Sequence, residues 1–342
     1  MAKTFSLASF NLLNLNWPGA PIYDDAAGWS KEAYDKKIDW TSSQLVRLDA
    51  DVIGFQELWD RRCLEAALNQ AGASDKYDLV IPPDANGSRI VCSAALRRGM
   101  LVGDPEWIQD FPKPVRLESR GEDKQTPEIK VQIKGFSRAV LHMVVQPEKS
   151  VAPIHIFVCH LKSKAPTKIQ GETWYKDDPS TYKDHAVGLG SALSTIRRTA
   201  EAAALRVILT GLMKGSDTPV IVLGDFNDNT YSNTSDVVTA QPRYLVGDSF
   251  GGGDAALYST QTLQEYRDSR DVYYTYVHEG FRESLDQIFV SQEFYDHSKK
   301  RVWMFDELIV NNDHLNSNEH KSDGTNDHGI IRATFSLKPY KA

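Results

Sequence analysis

The stretch Val220-Ile-Val-Leu-Gly-Asp225-Phe-Asn227 carries the most information about the fold. Four consecutive aliphatic residues predict a short, buried strand. Asp225 and Asn227 follow directly at its end. An acid and an amide in that position lie at a sheet edge, where other strands can bring further polar side chains next to them.

The same arrangement recurs along the chain. Asn11 closes the apolar segment 5–10, Glu57 closes 52–56, His160 closes 155–159, Asp286 opens 287–290, and Asp327 with His328 opens 329–335. Each residue alone has an ordinary explanation, because Asn and Asp start turns and a single His is most often structural. Together they indicate one site that is assembled at the ends of several strands.

The chemistry of this set favours a hard divalent cation. Carboxylate and amide oxygens suit Mg²⁺, whereas the sequence has neither the H-E-x-x-H motif nor the thiolate pair typical of Zn²⁺. The segment 225–236 imitates a Ca²⁺-binding EF-hand loop, but Thr230 stands where that loop needs Gly and Asp236 where it needs Glu. Phosphate-binding P-loops, dinucleotide fingerprints and G-x-S-x-G are absent. We therefore expect Mg²⁺ or Mn²⁺, with Ca²⁺ as an alternative ion.

These residues also carry a family resemblance. The motifs, in chain order, are Ser9-Phe-Asn11, Gly54-Phe-Gln-Glu57, His160-Leu, Gly224-Asp-Phe-Asn227, Ser284-Leu-Asp286 and Asn326-Asp327-His328. They resemble the ordered motifs of the endonuclease/exonuclease/phosphatase superfamily, which includes pancreatic-type deoxyribonuclease, apurinic-site endonucleases, inositol-polyphosphate phosphatases and neutral sphingomyelinases. Asn326 departs from the Ser usual in that family, and we expect this departure to matter little.

The resemblance implies a fold and a metal site. The fold is an α/β (α+β) four-layered sandwich, in which two packed mixed β-sheets are flanked by helices and the site lies at one end. Glu57 matches the position that binds the divalent metal directly, and Asn11 and Asp327 match positions near it.

The resemblance also implies catalytic roles. Asp225 matches the residue that orients or deprotonates the attacking water, and Asn227 helps to position it. His328 matches the imidazole that contacts the scissile phosphate, with Asp286 as its carboxylate partner. His160 matches the second histidine of the deoxyribonuclease branch. Arg138 resembles that branch's phosphate-contacting arginine, although its motif is less specific.

Length and composition set the remaining limits. The chain of 342 residues is 41% hydrophobic and 25% charged, which is typical of a globular protein, and we expect a single domain over residues 1–342. The start of the chain lacks the apolar region of a signal peptide, and three cysteines cannot form a disulfide framework. We expect a cytoplasmic monomer without stable membrane association, or a secreted one if a leader was removed.

Apolar periodicity predicts many strands and a few long helices. Strands are expected at 4–10, 51–55, 79–81, 89–95, 131–133, 139–145, 154–159, 220–223, 272–277, 287–290, 302–305 and 330–335. Helices are expected at 30–48, with Ser30 as N-cap, at 64–71 before Gly72, and at 193–208. The polar segments 229–254 and 306–323 are expected to be long loops.

The substrate remains open between two classes. The formal net charge of −7 argues against a protein coated with basic residues, but seven basic residues and one acid lie between Lys130 and Lys168. Lys162, Lys164 and Lys168 follow His160 directly and predict phosphate contacts in a nuclease groove. Aromatic residues after Asn11 (Trp17, Tyr23 and Trp29) either stack on bases or pack in their loop. We therefore expect nucleic acid as substrate, with a phosphatase or a phospholipid phosphodiesterase as the alternative.

Overall fold

Two six-stranded mixed β-sheets form the centre of the molecule. The computed structural model describes residues 3–121, 125–242, 253–271, 273–317 and 319–338. The strands are β1 Thr4–Leu15, β2 Val52–Asp60, β3 Tyr77–Val80, β4 Asn86–Arg97, β5 Leu101–Asp110, β6 Glu118–Ser119, β7 Ile129–Lys130, β8 Gly135–Val145, β9 Ile154–His160, β10 Val220–Asp225, β11 Tyr258–Ser259, β12 Tyr276–His278, β13 Phe281–Glu283, β14 Asp286–Val290, β15 Trp303–Asn311 and β16 Ile330–Leu337. The helices are α1 Lys31–Leu48, α2 Arg61–Gln70, α3 Thr173–Asp177, α4 Pro179–Tyr182, α5 Ala186–Met213, α6 Asn233–Thr239, α7 Thr260–Arg267 and α8 His320–Asp323.

The two sheets are built alike. The first has the order β15-β16-β1-β2-β4-β3 and the second has the order β11-β14-β10-β9-β8-β5. The inner strand β1 runs parallel to β2 and antiparallel to β16, and β10 runs parallel to β9 and antiparallel to β14. Two short hairpins, β6-β7 and β12-β13, stand apart from these sheets.

The sheets pack face to face through a core of aliphatic side chains. Leu7 and Val52 of the first sheet share this core with Leu141, Ile156 and Leu223 of the second, and all five are fully buried. Burial of each such side chain stabilises the fold by about 1.5–3 kcal/mol.

Helices cover the outer face of each sheet. Ile38 of α1 and Leu64 of α2 pack on the first sheet, whereas Leu205 of α5 and Val238 of α6 pack on the second. The result is four layers, helix–sheet–sheet–helix, which confirms the fold class that the motifs predicted. Within the described residues, none of the helices is long and apolar enough to cross a membrane.

Two motif glycines are required by close packing. A Cβ on Gly54 would lie 2.4 Å from Leu223 Cδ1, in the space between the two sheets. Gly224 has φ +142°, and a Cβ there would lie 1.9 Å from the carbonyl oxygen of Cys159 on the neighbouring strand. Any larger residue would push strands apart at the end of the sheets where the polar residues lie.

Most of the predicted elements are confirmed, including α1 with Ser30 as N-cap, whose Oγ accepts a 3.1 Å hydrogen bond from the amide of Ala33. Strand β5 was missed because Gly103-Asp104-Pro105 resembles a turn, whereas the structure accommodates it where the register with β8 shifts.

Four predicted segments differ from the structure in their bounds or content. The strand expected at 131–133 lies instead at β7, and the first part of the loop expected at 306–323 continues β15 as far as Asn311. The loop at 229–254 contains α6, and its residues 243–252 lie outside the described residues. The strand expected at 272–277 is shortened to β12, and position 272 also lies outside the described residues.

Candidate active site

The strand-end residues meet where the two sheets converge. In the second sheet, Asp225 is paired in register with His160 on one side and Asp286 on the other. Asn11, at the matching point of the first sheet, donates a hydrogen bond of 3.2 Å from Nδ2 to Asp225 Oδ2. Asp225 therefore lies at the centre of a site to which both sheets contribute.

Asp225 is almost wholly buried. Its Oδ1 accepts a 2.8 Å hydrogen bond from the amide of Asn227, and its Oδ2 lies 3.4 Å from His160 Nε2 and 3.9 Å from His328 Nε2. Burial raises the pKa of Asp225 to about 7; the His328 charge opposes this rise and the Asp286 carboxylate adds to it. A carboxylate with a pKa near neutral is suited to take a proton from water.

His328 and Asp286 form a buried pair. His328 Nδ1 lies 2.8 Å from Asp286 Oδ2, so the ring donates to the carboxylate and turns Nε2 towards Asp225. Burial alone would lower the pKa of His328, but the Asp286 and Asp225 carboxylates outweigh it and raise that pKa well above its ordinary value. His328 is therefore a stable cation at neutral pH.

His160 is uncharged, in contrast to His328. Its Nε2 lies 3.4 Å from Asp225 Oδ2 and 3.8 Å from Glu57 Oε1. Burial lowers the pKa of His160 well below its ordinary value, and the positive charges of Arg138, His328 and Lys162 lower it further. His160 is neutral and acts as a hydrogen-bonding group, whereas His328 supplies charge.

Glu57 and Asp327 offer carboxylate oxygens to a divalent cation, whereas Asn11, the third predicted ligand, accepts a 3.0 Å hydrogen bond at Oδ1 from the amide of Leu13. Glu57 holds a left-handed backbone conformation with φ 61°, and its Oε2 accepts a 2.8 Å hydrogen bond from the amide of Asn14. Burial raises the pKa of Glu57, and the Asp327 carboxylate raises it further. Asp327 Oδ1 is buried without a hydrogen-bond partner among the described residues. These crowded oxygens have the chemistry of a Mg²⁺ or Mn²⁺ site.

Ligand atoms of Glu57, His160 and Asp225 lie within 4.8 Å of one another, as do those of Asp225, Asp286 and His328. Asp225 therefore belongs to both groups. The first group adds His160 to the predicted donor set, because its Nε2 lies within 4 Å of both Glu57 and Asp225.

Arg138 and Asn227 meet at one backbone carbonyl. Arg138 Nη1 donates to the oxygen of Leu161 at 3.4 Å, and Asn227 Nδ2 donates to the same oxygen at 3.1 Å. This carbonyl directly follows His160, so both side chains are positioned at the site as the motifs predicted.

The three lysines after His160 have different surroundings. Lys162 lies beside the site, but its Nζ points to its own loop and donates to Ser163 Oγ at 3.1 Å. Lys164 forms an ion pair with Glu283, and Lys168 forms one with Asp24. Their role in substrate binding remains a prediction.

Two supporting residues escaped the sequence analysis. Lys37 is fully buried, and its Nζ donates to the oxygen of Thr325 at 2.7 Å and to Asn326 Oδ1 at 3.1 Å. Asn326 in turn donates from Nδ2 to the backbone oxygens of Asn11, at 2.6 Å, and His328, at 3.0 Å. Asn326 thus joins β1 to the segment before β16 within the first sheet, and this is the structural role of the residue that replaces the usual Ser.

Glu201 of α5 is a third missed residue. It is fully buried, and its two carboxylate oxygens accept hydrogen bonds from the amides of Ser137 and Lys162, each at 2.8 Å. It therefore fixes the backbone next to Arg138 and the loop after His160. A charged residue on the apolar face of a helix is the signal that could have revealed both Glu201 and Lys37.

Known proteins with the same architecture extend this description. A TDP2 of D. rerio, humanized by 14 mutations, is 17% identical, with 98% of this chain and 100% of that chain covered at a TM-score of 0.56. The mannosyl-6-phosphatase of Bacteroides thetaiotaomicron is 15% identical, with 97% and 100% covered at a TM-score of 0.53. ANGEL2, a 2′,3′-cyclic phosphatase, is 13% identical, with 99% and 97% covered at a TM-score of 0.56.

At these identities the likeness concerns the fold alone. A search of curated proteins finds no match. The model of the Endonuclease/Exonuclease/phosphatase family matches residues 9–323, which include all motif residues up to Asp286. The chain therefore belongs to the endonuclease/exonuclease/phosphatase family.

Proposed function

We propose that this protein is a Mg²⁺- or Mn²⁺-dependent nuclease that hydrolyses phosphodiesters of DNA or RNA. Hydrolysis of a phosphoester bond is the activity of its family. The observation that carries the proposal is the arrangement around Asp225, whose Oδ2 lies 3.9 Å from the cationic His328 and 3.4 Å from the neutral His160. A base and a fixed cation thus lie side by side at the centre of the site.

Each residue of the site has a separate role in the proposed in-line hydrolysis. Asp225 accepts a proton from the attacking water, whose oxygen bonds to phosphorus as the bond to the leaving oxygen breaks. His328 stabilises the negative charge that develops on the phosphoryl oxygens, and Arg138 and Asn227 orient them. The leaving oxygen takes up a proton from solvent and Asp225 releases its own to solvent, so that one water adds across the P–O bond and Asp225 is again ionised. A divalent cation held by Glu57, Asn11 and Asp327 would add Lewis-acid stabilisation of that charge.

The alternative substrates are small or lipid phosphoesters, since one fold serves many of them. A lipid-directed enzyme needs an apolar, exposed hairpin. The segment nearest the site, β12-β13, exposes Phe281 but is otherwise charged or polar, and Tyr276 packs against His328 at 5.1 Å between ring centroids. The ion pairs of Lys164 and Lys168 are the observation that favours a small phosphoester.

Substitution of Lys162, Lys164 and Lys168 together by alanine separates these alternatives. In a nuclease, these lysines exchange their present partners for backbone phosphates and release counterions. We expect a higher KM for long DNA or RNA and a salt dependence that is flatter by roughly one unit of slope per lost contact. Steady-state kinetics between low and moderate salt measure both quantities.

The matched control replaces Lys3, Lys149 and Lys338, which lie next to the ends of β1, β8 and β16 that are opposite to the site. A small phosphodiester serves as the reference substrate. If the site triple changes neither KM nor the salt slope, the lysines are a solvated face and the small-phosphoester alternative gains the advantage.

Lys37→Met tests the support beneath the site. The substitution leaves the oxygens of Thr325 and Asn326 buried without their donor, so the segment that carries Asp327 and His328 loses its anchor. We expect kcat to fall roughly 10-fold or more with little change in KM, because small misplacements of catalytic groups are costly.

Lys36→Met is the control, since Lys36 is the exposed neighbour on the same helix and pairs with Glu32. Circular dichroism and the thermal midpoint establish that both variants fold. A folded Lys37→Met protein with the kcat of Lys36→Met would show that the buried ammonium does not position the site.

A further inference from the structure

A cleft of about 580 Å³ opens beside the catalytic residues. Its walls come from both sheets: Ile90 and Cys92 of β4 on one side, and Trp107 of β5 and Arg138 of β8 on the other. Tyr23, from the loop after β1, and Trp59, near the end of β2, close it from the side of the first sheet. The volume falls within the range of small-molecule sites, about 300–1,000 Å³.

The cleft is continuous with the catalytic centre through shared residues. Arg138 and Lys162 line the cleft, and the positive charge of Arg138 acts on both Glu57 and His160. Tyr23 interacts with the guanidinium of Arg138 from the opposite wall. A molecule whose phosphate contacts His328, beside Asp225, would therefore extend past Arg138 into this space.

The walls favour a flat, uncharged ring next to that phosphate. Tyr23 is 60% exposed and lies edge-on to Trp59, with ring centroids 5.1 Å apart. Trp107 donates its ring N–H to the oxygen of Cys92 at 2.9 Å, so its polar atom is already satisfied. Arg89 and Asp84 also line the cleft, and they form an ion pair with each other. Aromatic surfaces with their polar atoms satisfied bind nucleobases by stacking.

The surroundings disfavour a long strand that continues past the site. Ion pairs join the loop after His160 to the Tyr23 loop, through Lys168 and Asp24, and to β13, through Lys164 and Glu283. The cations that would follow further phosphates are thereby occupied. The cleft accommodates one ring-bearing unit next to one phosphate.

We infer that the cleft binds a single terminal nucleoside, and that the enzyme acts on strand ends and short oligonucleotides rather than on internal bonds of a long strand. This inference rests on the proposed nuclease function and adds to it the position of the cleaved bond. It assigns Tyr23 as a residue that determines specificity through base stacking.

The binding test uses adenosine 5′-monophosphate and ribose 5-phosphate, which differ by the base. Tryptophan fluorescence of the whole protein reports the dissociation constant of each. We expect the nucleotide to bind roughly 10-fold more tightly, the size of effect expected of one stacked base. In Tyr23→Ala the ratio should fall to about one; in Tyr266→Ala, which removes a tyrosine that is also 60% exposed but lies on α7, it should persist.

The cleavage test compares a linear single-stranded oligonucleotide with a covalently closed circle of the same composition. We expect mononucleotides from the linear substrate and at least a 10-fold lower initial rate on the circle. Ser88→Trp, which places a ring in the cleft from an exposed position on β4, should slow the linear reaction and serves as a second variant that leaves the core untouched.

The outcomes distinguish a failure of the nuclease function from a failure of the inference that the cleft binds a terminal nucleoside. Equal rates on circle and line, or equal affinities for the two phosphates, overturn the inference and leave the nuclease function standing. If no nucleic acid is hydrolysed but a nitrophenyl phosphodiester is, the nuclease function fails. A Tyr23-dependent preference for the nucleotide would then still support the cleft assignment, with a free nucleotide ester as substrate.

Discussion

His328→Ala and Asp225→Asn are each expected to lower kcat by roughly 10²-fold or more, the usual size of effect for a lost electrostatic or acid–base partner. The two groups lie 3.9 Å apart and act on the same phosphate, one as cation and the other as base. Asp286→Asn should cost less, because Asp286 acts only through His328. Single-turnover kinetics with a small phosphodiester measure the chemical step directly.

The pH dependence of Asp286→Asn provides a sharper test of the pair. The carboxylate of Asp286 opposes the effect of burial and raises the pKa of His328. Without that charge, burial dominates, the pKa falls, and the cation is lost at a lower pH. The alkaline limb of kcat/KM should therefore move towards lower pH in this variant. An Asp286→Asn enzyme that is less active than His328→Ala would contradict the assignment of the pair.

Hydrolysis is expected to stop in excess EDTA and to return when Mg²⁺ or Mn²⁺ is added. Neighbouring carboxylates raise the pKa of both Glu57 and Asp225, and a bound divalent cation would relieve this repulsion and stabilise the charge on the transition state. The thermal midpoint should also rise with metal concentration, because the ion binds only the folded chain. Undiminished hydrolysis in excess chelator would refute the metal assignment.

Glu57→Gln tests whether Glu57 is responsible for this dependence on a divalent metal. We expect Mg²⁺ affinity, measured by calorimetry, to fall by roughly 10-fold or more. Because the pKa of Glu57 is raised in the folded protein, its ionisation opposes folding at neutral pH when no metal is bound. The metal-free variant should therefore be more stable than the metal-free wild type while it binds metal less well. Glu65→Gln, an exposed change on α2, is the control and should alter neither property.

Much of this site could be predicted from sequence because its residues lie at strand ends. Once Asp225 follows a buried strand and Asp286 opens another, antiparallel pairing of those strands must place them side by side, as the register shows. The protonation states could not be predicted in the same way. His160 and His328 are both histidines at strand ends, and only their neighbours, Arg138 on one side and Asp286 on the other, separate their charges.

Other features depend on contacts between distant parts of the chain. The basic stretch indicated an open cationic groove, but Glu283 and Asp24, from remote segments, neutralise Lys164 and Lys168. Lys37 belongs to α1, whose apolar stripe predicted only packing. Its buried ammonium contacts the loop before β16, which the sequence pattern could not show. Strand β5 contains a turn-like Gly-Asp-Pro sequence that is overridden by pairing with β8.

The division of the site between two sheets has a mechanical consequence. The bonds from Asn11 to Asp225 and from His328 to Asp286 both bridge from one sheet to the other, so their geometry depends on how the core side chains align the two sheets. A shift of one sheet by about 1 Å relative to the other would change the distance between Asp225 and His328 while the strands stayed paired. Misplacements of this size are costly to catalysis. A larger residue at position 54, which would press on Leu223 of the other sheet, would disturb that alignment from within the core. The catalytic rate therefore depends on how the two sheets are aligned.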